Sequence, residues 1–164
     1  MAELTKLESK IGEVTGLAMA AQAATKKVIT LAGSEGDGYV EKLRRMHDEA
    51  AETEQRCATV AAGFDGKKTA ILGEARTTKA KAAEMMATYL DADSDALDGF
   101  EFLTMAEAGE VGHWSVLGAL NEQAGHPDVQ QLVDWALPIQ QRHLEVVLES
   151  SASLAGKEDP NEPA

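Results

Sequence analysis

Apolar residues recur along most of this chain in steps of three and four, the spacing of a helix that buries one stripe. Leu4, Leu7, Ile11, Val14, Ala18, Ala21, Thr25 and Val28 predict a first helix over about residues 3–32. The run Gly33-Ser34-Glu35-Gly36-Asp37-Gly38 is dense in turn residues and ends it, with Asp37 placed to cap the second helix. Val40, Leu43, His47, Ala50, Glu54, Cys57 and Ala61 form the stripe of that second helix over about 38–62. Phe64-Asp65-Gly66 breaks it, and Ile71, Ala75, Ala82, Met85, Met86 and Tyr89 mark a third over about 67–90, an amphipathic connector. The stretch 91–94 supplies the next cap, for a fourth helix over about 95–124 that ends at Gly125. Pro127 suits the first turn of a fifth, which runs to about Leu154.

Short connections between long amphipathic helices predict an all-α fold. It is an antiparallel four-helix bundle of the first, second, fourth and fifth helices, with the third as an additional crossover helix. An α-solenoid is the alternative, but it needs repeated units, and the chain shows none. One domain over 3–155 is expected, followed by a disordered acidic tail over 156–164. Composition agrees: 28 alanines, four prolines and seven aromatic residues leave little with which to build a sheet. Alanines at stripe positions such as Ala18, Ala21, Ala106 and Ala136 allow helices to approach closely, leaving a thin core that self-association would supplement. Val14 to Thr25, an uncharged stretch of 12 residues that is mostly alanine, is too short to span a bilayer, so no membrane partner is expected. Glu3, Glu8 and Glu13 interrupt the N-terminal segment, which argues against a secretory signal. The single Cys57 excludes an intramolecular disulfide and fits a reducing, cytoplasmic setting.

Charge is divided unevenly. The net charge is −13, yet residues 1–81 carry 13 Lys or Arg against 12 Asp or Glu, so the deficit lies in the second half. From Ala82 to Gln141 there is no Lys or Arg at all. Such a surface repels a polyphosphate backbone, so nucleic acid is not an expected partner. The basic stretch Lys67, Lys68, Arg76, Lys79 and Lys81 is expected to face solvent or the acidic half, with the binding of something anionic as the alternative. A negative field of this strength favours the approach of cations.

Candidate chemistry lies on the fourth and fifth helices. Two stripe phases fit the fourth, Leu103-Ala106-Glu110-His113-Leu117 or Phe100-Leu103-Glu107-Glu110-Trp114-Leu117, and Glu110 points inward in both. Two also fit the fifth, Val133-Ala136-Gln140-His143-Val147 or Val129-Leu132-Ala136-Ile139-His143-Val146, and His143 points inward in both. A buried ionisable group needs a partner. Counted from the Gly125 turn, Glu110 and His113 are level with Gln140 and His143, so the two pairs can meet. Glu54 and Cys57 come level with Glu13 across the first hairpin by the same count, taken from Glu35. Three inward pairs thus share an i, i+3 spacing, Glu54 with Cys57, Glu110 with His113 and Gln140 with His143, which puts both members on one face a turn apart. Carboxylates and imidazoles at that spacing suit iron, manganese or zinc. The candidate metal ligands are therefore Glu110, His113 and His143, with Glu54, Gln140 and Glu13 beside them. Pro138, inside the fifth helix, should bend it next to this group. A hydrogen-bonded polar core that fixes helix register is the alternative reading. No phosphate loop, nucleophile elbow or cysteine cluster is present.

The runs Asp95-Ala96-Leu97-Asp98-Gly99-Phe100-Glu101-Phe102-Leu103, Ala106-Glu107-Ala108-Gly109-Glu110-Val111-Gly112-His113-Trp114, Gly125-His126-Pro127-Asp128-Val129 and Gln140-Gln141-Arg142-His143-Leu144 resemble the YciE/YciF-like branch of the ferritin-like superfamily. His47-Asp48-Glu49 with Glu52-Thr53-Glu54 is more loosely similar to that family's second helix. The resemblance covers about residues 40–150. It implies a ferritin-like bundle, usually dimeric and linked to bacterial stress responses, with one or two iron or manganese ions and His113 as the inward histidine of the fourth helix. Where the family carries an acidic run in its last helix, this chain has Pro138-Ile139-Gln140-Gln141. A stress-protective or iron-handling metal protein is the first functional expectation. A non-catalytic assembly module, with a homodimer or another protein as partner, is the second.

Overall fold

The computed structural model describes residues 3–36 and 38–163. Among these there are five helices and no strand: α1 Lys6–Leu31, α2 Tyr39–Ala62, α3 Lys68–Tyr89, α4 Ala96–Ala124 and α5 Pro127–Ala155. The chain is all-α, and each helix end lies within a few residues of its expected place.

Local chemistry explains the boundaries. Thr5 Oγ1 accepts from the Glu8 amide at 3.2 Å while the Glu8 carboxylate accepts from the Thr5 amide at 2.8 Å, a capping box that starts α1. This engages Glu8 at the helix end. Asp95 and Asp98 form the same reciprocal pair at the start of α4. The cap is therefore Asp95 itself rather than the stretch before it, whose Asp91 and Ser94 bond to each other. Asp37 lies outside the described residues, and α2 follows Gly38, which stands at φ 73°. Gly125 closes α4 at φ 71°, and the Asn121 side chain bridges the turn by bonding both the carbonyl and the amide of His126. The α5 helix continues through Pro138, which sits on its exposed side.

The hairpin α1–α2 packs on the hairpin α4–α5, with α1 against α4 and α2 against α5. The α3 helix lies against α1, also meets α2, and barely touches α4. Glycine sets the α1–α3 distance: a Cβ on Gly12 would stand 2.7 Å from the Ile71 carbonyl oxygen, and one on Gly16 closer still to that of Ala75.

Two apolar clusters fill the interior. Val28, Tyr39, Leu43, Phe100, Leu103 and Val147 belong to one; Ile11, Val14, Ile71, Trp114, Leu117 and Val129 belong to the other. Each such side chain contributes about 1.5–3 kcal/mol on burial. Between the clusters, α4 from 104 to 113 and α5 from 137 to 146 place polar side chains inward. No helix among the described residues is long and apolar enough to cross a membrane.

Candidate functional site

The polar level in mid-bundle is made by α2, α4 and α5. Of the two phases open to α4, the one through Phe100, Leu103, Glu107, Glu110, Trp114 and Leu117 is buried. On α5 the phase through Val133, Ala136, Gln140, His143 and Val147 is buried. Glu107, Glu110, Gln140 and His143 consequently face one another with almost no solvent contact. Gln140 Nε2 donates to Glu110 Oε2 at 2.5 Å and to Glu107 Oε2 at 3.3 Å. His143 Nδ1 lies 3.5 Å from Glu107 Oε2, and its Nε2 lies 2.6 Å from Glu49 Oε2. Glu49 then accepts from Arg142 at 2.6 Å and from Arg45 at 2.9 Å, where the group reaches the surface. One chain of polar contacts thus runs from Glu110 in the core to two guanidinium groups outside.

Electrostatics follow from this order. Burial acts to lower the His143 pKa, but the hydrogen bonds and charges of Glu107 and then Glu49 outweigh it and raise the pKa above 6.5. Burial acts to raise that of Glu49, but hydrogen bonds from His143, Arg45 and Arg142 bring it below 4.5. Glu110 is pushed well above 4.5, first by burial and then by the charge of Glu107. Both raised pKa values favour the protonated form, which lessens the charge repulsion among the carboxylates of this layer.

The six residues expected to form one metal site fall into three groups. Glu110, Gln140 and His143 meet at the polar level, as the height count across the Gly125 turn predicts. His113 lies outside it, with 40% of its side chain exposed, and pairs through Nδ1 with Glu13 Oε2 at 3.1 Å; Lys10 bridges the same pair. It belongs to the stripe phase of α4 that is not buried. Glu54 flanks the buried line of α2, which runs Leu43, Met46, Ala50, Thr53, Cys57 and Ala61. His47 flanks it likewise. Glu54 Oε2 accepts from Gln22 at 2.6 Å rather than standing level with Glu13.

Glu107 and Glu49 are the site residues that spacing alone did not select. Glu107 stood in one of the two phases of α4. Glu49 sits one position off the α2 stripe, and its only local signal is the i, i+4 pair with Arg45.

The arrangement does not fit a resident metal ion. His143 presents its two nitrogens on opposite edges of the ring, each to a different carboxylate, so both are engaged within the layer. The Gln140 amide hydrogens occupy the space between Glu107 and Glu110. Among the described residues, no group of three His, Cys, Asp or Glu side chains is gathered so as to hold a metal. Thiol chemistry is equally disfavoured: Cys57 is fully buried and its pKa is pushed up to about 12, chiefly by burial. Trp114 is buried in the second cluster with its Nε1 unbonded among the described residues, and Trp135 is half-buried with the Arg56 guanidinium 4.1 Å from its ring centroid. Comparison with family models, with curated proteins and with solved structures yields no match to this chain.

Proposed function

We propose that this chain is a ferritin-like bundle, antiparallel through α1, α2, α4 and α5 with α3 as crossover, in which protons and hydrogen bonds occupy the position of a metal centre. It acts as a non-catalytic binding or assembly module, homodimeric, in a reducing cytoplasmic setting. The observation that carries this reading is the ligation state of His143: both of its nitrogens are committed to carboxylates, while the Gln140 amide bridges Glu107 and Glu110. A buried polar layer of this kind specifies which helix faces meet and at what height.

The test is elemental analysis of the purified, untagged protein after incubation with iron or manganese and desalting, beside a His113→Ala, His143→Ala double variant treated identically. Neither protein should retain metal. A Gln140→Glu variant puts a carboxylate three residues before His143, as Glu110 stands three before His113. In chelator it should melt several degrees lower than the parent, and manganese should restore part of the loss.

A second reading, the iron- or manganese-binding protein of stress protection or iron handling, has one observation in its favour. Glu107 and Glu110 are two buried carboxylates a turn apart, and a divalent cation between them would offset the burial and the Glu107 charge that raise the Glu110 pKa. Near-stoichiometric metal that is lost in the double variant would establish that reading and overturn the first.

A further inference from the structure

An apolar cavity of about 220 Å³ opens where α1, α3 and α4 meet. Its cause is a local run of small residues: Ala20, Ala23 and Ala24 on α1 face Ala82 and Ala83 on α3 and Ala106 on α4. Gly12 and Gly16 hold α3 close to α1 lower down, but α3 makes little contact with α4, so these methyl groups cannot fill the three-way junction. Protein interiors leave few voids larger than a water molecule. This one exceeds the volume of about 150 Å³ that suffices for benzene in a cavity lined by aliphatic and aromatic side chains. Water is a poor occupant, because a held water needs two to four polar partners and these walls offer few.

The cavity has two unlike ends. Gly16 lies beside Thr78, so Lys79 and Leu17 stand at one end, with Glu110 and His113 of α4. Met86, Phe102 and Ala24 stand at the other. Met85 and Met105, 46% and 40% exposed, flank the opening and are flexible enough to close over a guest. Lys79 forms no ion pair among the described residues and belongs to the basic stretch with Arg76 and Lys81, in a chain whose other half is strongly acidic. At 1.5 Å per residue the wall from Leu17 to Ala24 is about 10 Å long, the span of an extended chain of about eight to ten carbons.

We propose that this cavity binds a single-chain amphiphile with an anionic head, of the medium-chain carboxylate class, its tail among the alanines and methionines and its carboxylate at Lys79. This goes beyond the reading of the polar core, whose metal content is measured separately and can fail or hold independently. The probe is decanoate, titrated calorimetrically into the full-length protein below its micellar concentration, with decyltrimethylammonium as the same tail under the opposite charge. Saturable one-to-one binding of decanoate is expected, with a rise in melting temperature and at least tenfold preference over the ammonium compound. Ala106→Leu, and separately Ala20→Leu, should fill the space and weaken decanoate at least tenfold without lowering the melting temperature. Lys79→Glu should reduce the preference for decanoate severalfold. The proposal fails if wild-type protein shows no saturable binding, if both filling variants bind as well as wild type, or if the ammonium compound binds equally tightly. Sedimentation of the same samples supplies one further outcome: a dimer that the filling variants disrupt, with no uptake of decanoate, would assign the cavity to a second copy of the chain and overturn the ligand.

Discussion

His143 and Glu110 hold protons in the folded state that the unfolded chain releases earlier, and this couples stability to pH. Glu110 ionises near 4.5 when unfolded and well above that when folded, so its contribution declines as pH rises from 4.5. His143 loses its proton near 6.5 when unfolded and higher when folded, so its contribution is complete below 6.5 and is lost as pH rises through the folded value. Glu49 works in the opposite sense, stabilising above 4.5 and failing as pH falls through its lowered folded pKa. Maximal stability is therefore expected near pH 5, with a decline toward alkaline pH of at most about 1.4 kcal/mol per unit for each group. Calorimetric melting from pH 4 to 9 checks this. Glu110→Gln should remove the part of the decline that begins near 4.5 and leave the part that begins near 6.5. His143→Gln should remove the latter and cost about 3 kcal/mol by leaving Glu49 and Glu107 without their shared partner. Glu110, Gln140 and His143 were legible in the chain because each lies on a stripe phase and their heights match across one tight turn. Glu49 was not, since a residue one position off the stripe becomes internal only when α5 brings His143 to it.

Between elements, the close approach of α1 and α3 rests on two glycines. Gly16→Ala gains about 1 kcal/mol of helix propensity, yet its methyl group would collide with the Ala75 carbonyl, for a cost of about 1–3 kcal/mol. A net fall in melting temperature is expected. Gly112→Ala, in the interior of α4 with nothing within 4 Å of the added Cβ, should instead raise stability by up to about 1 kcal/mol. Denaturant unfolding of the two variants separates close approach from propensity. Helix existence and limits were readable because periodicity, capping residues and Gly125 act within a few positions of each other. Two details were not: which phase α4 buries, and the register of the first hairpin. Stripes displaced by one position have nearly equal apolar content, so the neighbouring helices decide the phase.

At the level of the whole molecule, net charge opposes compaction. Sixteen of the 28 acidic residues follow Lys81, against two Lys or Arg, and nine of them lie on α4 and α5, which pack side by side. Raising NaCl from 20 to 500 mM should therefore raise the melting temperature by several degrees, since screening of this repulsion outweighs the loss of exposed pairs such as Arg56 with Glu52. A fall in melting temperature would show instead that the ion pairs at Glu49 and Glu13 dominate. Local patterns in the chain suffice for the five helices, their limits, the charge asymmetry and the inward placement of Glu110, Gln140 and His143, because periodicity, capping and turn chemistry act over a few residues. Packing between helices settles the rest: His113 joins Glu13 at the surface, Glu49 and Glu107 complete the polar chain, and alanines on three helices leave a cavity. Those outcomes depend on distances between helices remote in the chain, which no stretch of sequence encodes separately.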